Sequence, residues 1–361
     1  MLYYLLYPLK KYFIGFNLFR YITFRAAYAI VTALILSFII GPIIIRWARR
    51  KKLGETIRDD GPSHHQNKAG TPSMGGLMII FSTLISVLLW ARLDNIYIVL
   101  FVITLFFYGL LGFLDDYIKI VKKNKKGLHA KIKLWGQIII SSVVMLILFI
   151  VFKNHGLMTE LYVPFIKRAV WNMGVGYFVF GVLIMVGSSN AVNLTDGLDG
   201  LAIGSSLLVV SSFTIIAYLS GHIKIAEYLM IPYIKNVGEV TVFGAALIGA
   251  SLGFLWYNAH PADIFMGDTG ALAIGGSIGL FSIILKKELL LLILGGVFVI
   301  EALSVIIQVA SFKLRGKRVF KMAPLHHHYE LLGIPESKII IRFWIVGLIL
   351  ALIGLTTLKI R

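Results

Sequence analysis

Two long apolar runs of this sequence are joined by Asn190-Ala191-Val192-Asn193-Leu194-Thr195-Asp196-Gly197-Leu198-Asp199-Gly200. Polar side chains recur there at every third position, 190, 193, 196 and 199. Residues three apart share one face of a helical turn, so two amides and two carboxylates are predicted to point the same way. Polar groups between membrane spans are costly unless they serve a function. The alternative is a helix-capping turn, because Asn, Asp, Thr and Gly all favour turns.

The composition indicates that this stretch belongs to a membrane protein. Of the 361 residues, 58% are hydrophobic and 14% are charged, and the mean hydropathy is +0.87. Ordinary soluble domains have roughly 45–50% apolar and about 25% charged residues. The apolar runs do not alternate with polar residues, which predicts helices and excludes an outer-membrane barrel. The chain has no cysteine, which excludes disulfides and cysteine-ligated metals.

We predict an all-α, polytopic integral membrane protein with ten transmembrane helices. Each apolar run is close to the ~20 residues that cross a bilayer core. The predicted spans are 21–46, 74–93, 96–114, 134–152, 175–191, 200–219, 240–257, 269–285, 289–311 and 338–358. Because no internal repeat and no Pro/Ser-rich linker divides the chain, residues 1–361 are predicted to form one transmembrane domain.

The basic residues predict on which side of the membrane each loop lies. Alternating spans place loops 46–73, 115–133, 192–199, 258–268 and 312–337 on one side, and these loops hold most of the Lys and Arg residues between spans. The positive-inside rule makes that side cytoplasmic, with both termini periplasmic and the polar motifs at the cytoplasmic face. Because this distribution explains the net charge of +18, we do not expect nucleic-acid binding.

An acidic pair closes the third span, in Gly112-Phe113-Leu114-Asp115-Asp116-Tyr117. Adjacent helical residues diverge by ~100°, so the two carboxylates cannot share one contact without local unwinding. One hypothesis is a carboxylate pair that holds a cation or accepts a proton. The other is a pair of interfacial acids balanced by the lysines that follow.

A second polar turn, residues 258–270, separates two later spans and contains Asp268. Asp268 stands where a helix should begin, so it is either an N-cap or a metal ligand. Carboxylates gathered on one face repel by about 4 kcal/mol per pair at 4 Å when the effective dielectric is about 20. A divalent cation offsets that repulsion, and an oxygen-only ligand set suits Mg²⁺.

Three further features lie on the predicted cytoplasmic side. The loop that contains His326-His327-His328 is either a structural cluster or a site for a metal or a phosphate. Lys68 lies in a Gly- and Pro-rich loop and can hold a phosphate as a point charge. Glu301 and Gln308 are seven apart in an apolar run, which predicts either an interhelical hydrogen-bonding pair or a site role.

In combination these motifs resemble the phospho-N-acetylmuramoyl-pentapeptide-transferases, a family of bacterial inner-membrane polyprenyl-phosphate N-acetylhexosamine-1-phosphate transferases. The resemblance extends over essentially the whole chain. The stretches Ala323-Pro324-Leu325-His326-His327-His328 and Gly70-Thr71-Pro72-Ser73-Met74-Gly75-Gly76 are typical of the muramoyl branch. It implies transfer of phospho-MurNAc-pentapeptide from UDP-MurNAc-pentapeptide to undecaprenyl phosphate, giving lipid I and UMP. It also implies a Mg²⁺ requirement, contact with membrane lipid and a homodimer.

The resemblance also implies roles for individual residues. The implied catalytic residues are Asp115, Asp116, Asp268 and His327, and the implied metal ligands are Asp268 and Asn193. The implied substrate-binding residues are Lys68, Thr71, Lys119, Lys131, Asn190, Asn193, Asp196, Asp199, Asn258, Phe265, Gln308, His326 and His328.

Two alternatives stay open from the residues. One is an ion-coupled transporter whose acids form a cation path, although a transporter should place its acids at mid-bilayer. In this sequence only Glu301 is deep within a span, and the aspartates lie at one surface. The other is a sister transferase that uses UDP-GlcNAc as its donor.

Overall fold

The computed structural model describes residues 1–51, 70–120, 127–155, 159–166 and 171–359. These residues are mostly helical, and the described ranges contain one antiparallel pair of short strands, β1 (Glu160–Leu161) and β2 (Trp171–Asn172). The α-helices are α1 (Leu2–Leu6), α2 (Ile22–Arg50), α3 (Gly76–Trp90), α4 (Ile96–Ile120), α5 (Ala130–His155), α6 (Gly176–Thr195), α7 (Leu201–Ser220), α8 (Ile223–Leu229), α9 (Val240–Asn258), α10 (Gly267–Ile284), α11 (Leu291–Leu294), α12 (Gly296–Arg315), α13 (Leu325–Glu330) and α14 (Glu336–Thr356).

The predicted all-α, multi-pass membrane fold is confirmed. Within the described ranges, nine helices are long and apolar enough to cross a membrane: α2, α4, α5, α6, α7, α9, α10, α12 and α14. The remaining predicted span, 74–93, corresponds to α3, which is apolar but only 15 residues long. The predicted span 289–311 is divided at Gly295, where α11 ends and α12 begins.

Helix α10 lies at the centre of the bundle. Protein buries 89% of its apolar window, against 22–33% for the peripheral helices α2, α5, α6, α12 and α14. It packs against α4 and α6. Gly and Ala are frequent along α10. Within a bilayer the hydrophobic effect does not drive helices together, so they associate by close packing, and small residues let their backbones approach. The peripheral helices instead expose large apolar side chains, as a lipid-facing surface requires.

A buried ion pair marks one end of the bundle. Arg25 at the start of α2 and Glu239 just before α9 form a paired contact, and Glu239 also accepts the backbone N–H of Arg92 at 2.8 Å. Because α2 and α9 run away from this end together, their last residues lie at the other end. The polar motifs of the sequence gather at that other end.

Candidate active site

The polar end of the bundle contains a cluster of three aspartates. Asp115 and Asp116 lie in the last turns of α4, and Asp268 lies in the first turn of α10. Their carboxylate oxygens lie within 4.8 Å of one another. The close approach requires a glycine, because a Cβ atom at Gly112 would lie 2.2 Å from the Asp268 carbonyl oxygen. Helix α4 continues unbroken to Ile120, so both acids reach the cluster without unwinding.

Asp116 caps α10 from the neighbouring helix. Its carboxylate accepts the backbone N–H groups of Asp268 at 3.1 Å and Thr269 at 2.9 Å, and the Thr269 hydroxyl at 2.6 Å. These bonds satisfy donors that the first turn of a helix leaves open. Asp268 is not the N-cap of its own helix: that position is Met266, which makes no side-chain capping bond. The two adjacent acids therefore differ, with Asp116 bound to backbone and Asp115 turned towards lysines.

Two lysines neutralise part of the cluster charge. Lys119 Nζ lies 2.5 Å from Asp115 Oδ2 and 2.8 Å from Asp268 Oδ2. Lys133 Nζ lies 2.6 Å from Asp268 Oδ2 and 3.8 Å from Asp115 Oδ2. Sequence reasoning named Lys131, which is exposed, and missed Lys133 two residues further along α5. The missed signal was helical spacing, because Lys133 and the buried Gln137 are four apart on one face.

The two asparagines of α6 reach the same region. Asn193 Nδ2 donates to Asp268 Oδ1 at 2.6 Å. Asn190 Nδ2 donates to Gln137 Oε1 at 2.9 Å, which joins α6 to the lysine-bearing face of α5. Helix α6 ends at Thr195, with Asp196 as its C-cap. Of the four positions predicted to share one helix face, only Asn190 and Asn193 lie within α6. Asp196 and Asp199 follow the end of the helix, where the three-residue spacing no longer sets the direction of a side chain.

Asp199 lies beside a separate cavity of about 570 Å³. Its Oδ2 lies 3.2 Å from His260 Nδ1 and accepts the backbone N–H of Ala262 at 3.2 Å. The cavity is lined by Thr71, Asp199, His260, Pro261, Ala262, Phe265, Glu330, Gly333, Ile334, Pro335 and Glu336. Three predicted substrate-binding residues thus share one cavity, and His260, Glu330 and Glu336 join them without having been predicted.

Two other predicted residues, Asn258 and Gln308, hold loop backbone in place through their side-chain amides. The Asn258 amide accepts the N–H of Gly200 at 3.0 Å and donates to the carbonyl of Ile264 at 2.9 Å. The Gln308 amide bonds Val319 N and Phe320 N, both at 3.0 Å, and Phe320 O at 2.9 Å.

The three histidines predicted as site residues all lie in α13 but occupy different environments. His328 Nδ1 accepts the N–H of Lys321 at 3.1 Å. His326 is fully buried, whereas His327 Nδ1 lies 2.6 Å from Glu330 Oε2. The prediction for Lys68 lies outside the described residues.

The donor chemistry of the aspartate cluster fits a hard divalent cation. Within the described part of the chain, two groups bring metal-ligating atoms within 4.8 Å: Asp115 with Asp116 and Asp268, and Asp199 with His260 and Glu336. The first offers oxygen alone, which is the ligand type that Mg²⁺ and Ca²⁺ prefer. Its three carboxylates and two ammonium groups sum formally to −3 + 2 = −1, so added positive charge is electrostatically favoured there.

The fold and this charge arrangement together define a polytopic membrane protein with a cluster of three aspartates and two lysines at one end of its helices. Comparison with known proteins gives the same class. A family model described as Glycosyl transferase family 4 matches residues 97–286, and a model described as Phospho-N-acetylmuramoyl-pentapeptide-transferase signature 1 matches residues 68–80.

Full-length relatives narrow the class to one family. A phospho-N-acetylmuramoyl-pentapeptide-transferase of Citrifermentans bemidjiense is 50% identical over 361 residues, covering 100% of both chains. One of Solidesulfovibrio magneticus is 52% identical over 362 residues, again covering 100% of both. The chain belongs to the phospho-N-acetylmuramoyl-pentapeptide-transferase family.

Proposed function

We propose that this protein transfers phospho-MurNAc-pentapeptide from UDP-MurNAc-pentapeptide to undecaprenyl phosphate in the bacterial inner membrane, with lipid I and UMP as products. The observation that carries the proposal is the cluster in which Lys119 and Lys133 lie against Asp115 and Asp268 at the ends of membrane helices. Phosphoryl transfer depends mainly on positioning and charge neutralisation, and both are present in this cluster.

The acceptor side of the reaction follows from the position of the lysines. An undecaprenyl chain stays in the bilayer, so its phosphate reaches only groups near the helix ends. Lys119 and Lys133 offer ammonium donors there, with side chains 32% and 18% exposed. In the transfer, an oxygen of the lipid phosphate attacks the sugar-linked phosphorus, and the bond from that phosphorus to the UMP oxygen breaks.

Of the two adjacent acids, Asp115 is the better placed to take a proton from the incoming phosphate. Asp116 is engaged by three donors of α10, which orient Asp268. Asp115 accepts the N–H of Leu128 at 2.7 Å and faces both lysines, where a phosphate would bind. We assign Asp115 to proton handling and Asp116 to positioning.

We propose Asp268 and Asn193 as Mg²⁺ ligands, with Asp115 beside them. Asn193 contacts Asp268 through its amide Nδ2, which brings the amide oxygen of the same side chain into the region, and amide and carboxylate oxygens are the ligands this cation takes. When bound, Mg²⁺ supplies positive charge that stabilises the diphosphate as UMP leaves. The chain's own part is to hold these side chains together, to which the cap from Asp116 and the hydrogen bond from Asn193 Nδ2 to Asp268 contribute.

The cavity beside Asp199 suits the nucleotide portion of the donor. Its volume of about 570 Å³ falls within the range of roughly 300–1,000 Å³ typical of small-molecule sites. Phe265 offers an aromatic face for stacking, and Thr71 and Asp199 offer polar contacts. Phe265 lines this cavity and precedes Asp268 by three residues, which supports placing the nucleotide next to the aspartate cluster.

The test is UMP release by the purified protein from UDP-MurNAc-pentapeptide. We expect release that requires added undecaprenyl phosphate and Mg²⁺, and that stops with EDTA. Release without the lipid acceptor would contradict the transfer, and coupled ion flux without UMP would support a transporter. If UDP-GlcNAc serves equally well as donor, the protein is a sister transferase.

The homodimer implied by the family resemblance remains a prediction. The measurement is the molar mass of the purified protein in detergent by light scattering, corrected for bound detergent. A mass of one chain at micromolar concentration would contradict it.

A further inference from the structure

Helix α13 carries His326, His327 and His328 and is only six residues long. A helix this short is not stable by itself in water, because the free-energy cost of nucleating a helix exceeds the stabilisation gained from one or two turns of hydrogen bonds. Its position must therefore come from contacts with other elements. The N-cap residue is Pro324, which makes no side-chain capping bond.

Glu301 of α12 supplies the missing cap. Its carboxylate is fully buried and accepts the backbone N–H groups of Leu325 at 2.7 Å and His326 at 3.2 Å. A negative charge at this end also complements the helix dipole. The buried carboxylate in the middle of an apolar helix is thereby explained by a contact between α12 and α13.

His326 fixes the rotation of α13 about its own axis. Its ring is fully buried, and Nδ1 lies 3.2 Å from Glu301 Oε2. On the other side of the ring, a Cβ atom at Gly197 would lie 2.2 Å from Nε2. The ring is thus held between α12 and the 190–200 stretch, and α13 cannot turn without a clash.

With His326 fixed, the next histidine points in a different direction and meets a second carboxylate. His327 Nδ1 lies 2.6 Å from Glu330 Oε2, and the Glu330 side chain is only 1% exposed. Residues three apart face each other on a helix, which explains the pairing. A carboxylate that accepts a hydrogen bond from Nδ1 fixes the orientation of the ring, so that Nε2 is the nitrogen that faces a ligand. The same carboxylate balances the charge of an imidazolium that donates from Nε2 to a phosphate oxygen.

We propose that Glu330 is a positioning residue for the transfer reaction: it holds Nδ1 of His327 so that Nε2 is presented to the donor diphosphate. Glu301 is its support, because it caps the helix on which both residues lie. The inference rests on the proposed function and on the catalytic role that the family resemblance implies for His327, since it assigns how that residue is oriented. Glu330 also lines the cavity beside Asp199, so the pair lies at the edge of the proposed nucleotide site.

A double-mutant cycle tests the inference. Glu330→Gln keeps the size of the side chain and removes its charge, and we expect kcat to fall about 10- to 100-fold with the donor KM within about threefold. If Glu330 acts through His327, adding Glu330→Gln to His327→Ala produces no further loss, because the partner is already absent. A purely structural role predicts instead that the two losses multiply and that Tm falls.

The supporting residue is tested by a conservative pair. Glu301→Gln keeps the side-chain size and one acceptor oxygen, so it loses one of the two N–H bonds and should keep more activity than Glu301→Ala, which loses both and should lower both kcat and Tm. The matched control is Asp263→Asn, an acid on the same side of the bundle whose side chain is 60% exposed. It should behave as wild type.

The outcomes separate this inference from the proposed function. Donor-dependent UMP release by the wild type, with multiplying losses in the cycle, would overturn the positioning role alone. Glu330→Gln or His327→Ala within threefold of wild type would also overturn it. A wild type that releases no UMP would overturn both proposals.

Discussion

Replacing Lys133 by Met is the sharpest test of the site, because the family resemblance implies Lys131 as the substrate-binding lysine of α5, whereas the structure places Lys133 against the aspartates. The substitution removes an ammonium group that lies 2.6 Å from Asp268 Oδ2 and 3.8 Å from Asp115 Oδ2. The formal charge of the cluster then changes from −3 + 2 = −1 to −3 + 1 = −2. The site would then offer an incoming phosphate one ammonium group fewer and a more negative electrostatic environment, which disfavours phosphate binding.

The size of the effect follows from the lost contact. A hydrogen bond to a charged group contributes about 1.5–3 kcal/mol, which corresponds to about 10- to 150-fold in kcat/KM for undecaprenyl phosphate. Lys131 is exposed, and an exposed charge contributes at most about 1 kcal/mol, or about fivefold. Lys131→Met is therefore the competing variant, identical in chemistry and two residues away.

The assay is UMP release at varied acceptor concentration, with Tm measured for each variant. We expect Lys133→Met to fall within the larger range and Lys131→Met to stay within the smaller one, while both remain folded. The reasoning would be refuted if Lys131→Met lost more activity than Lys133→Met. It would also be refuted if Lys133→Met stayed within twofold of wild type.

Three further outcomes are expected. Asp268→Asn should lower turnover at least about 100-fold at saturating Mg²⁺ while the protein still elutes as a folded species, and near-normal turnover would remove Asp268 from the metal site. Gly197→Ala should lower stability by about 1–3 kcal/mol, because its Cβ would lie 2.2 Å from the buried His326 ring, and an unchanged Tm would contradict that packing. Burial lowers the pKa of Lys286 to about 8, below the 10.5 of an unfolded lysine, so the unfolded state binds more protons between these values. Tm should therefore rise with pH across that interval, and a wild-type rise no steeper than that of Lys286→Met would contradict it.

The membrane fold could be read from the sequence because it depends on local properties. A run of about 20 apolar residues must form a spanning helix, since the bilayer offers no partner for an open backbone. Helix ends were harder to predict. Span 74–93 became a helix of 15 residues, and span 289–311 is divided at Gly295. Helix α3 begins only at Gly76, where the backbone N–H groups of Gly75 and Gly76 bond the loop before α10, and the second span is interrupted at Gly295. Hydropathy alone describes neither feature.

The candidate site was predicted in part. Asp115, Asp116 and Asp268 were predicted as site residues, and their carboxylate oxygens lie within 4.8 Å of one another. Charged side chains are unfavourable in the bilayer core, so those at the ends of adjacent spans gather at the same surface. Asp199 was expected on the same face as Asn193, but α6 ends before it and it lines the neighbouring cavity. A pattern with a period of three holds only as far as the helix does.

The sequence by itself determined that this chain is a bundle of membrane helices with its aspartate and histidine motifs at one end, because chain-local hydropathy and charge govern insertion. Only the tertiary structure decided that Lys133 and not Lys131 meets Asp268, and that Asp116 caps a helix while Asp115 faces the lysines. Those choices depend on the rotation of each helix and on close approaches such as that at Gly112. Rotation and approach are set by packing against neighbours distant in sequence, which no local pattern contains.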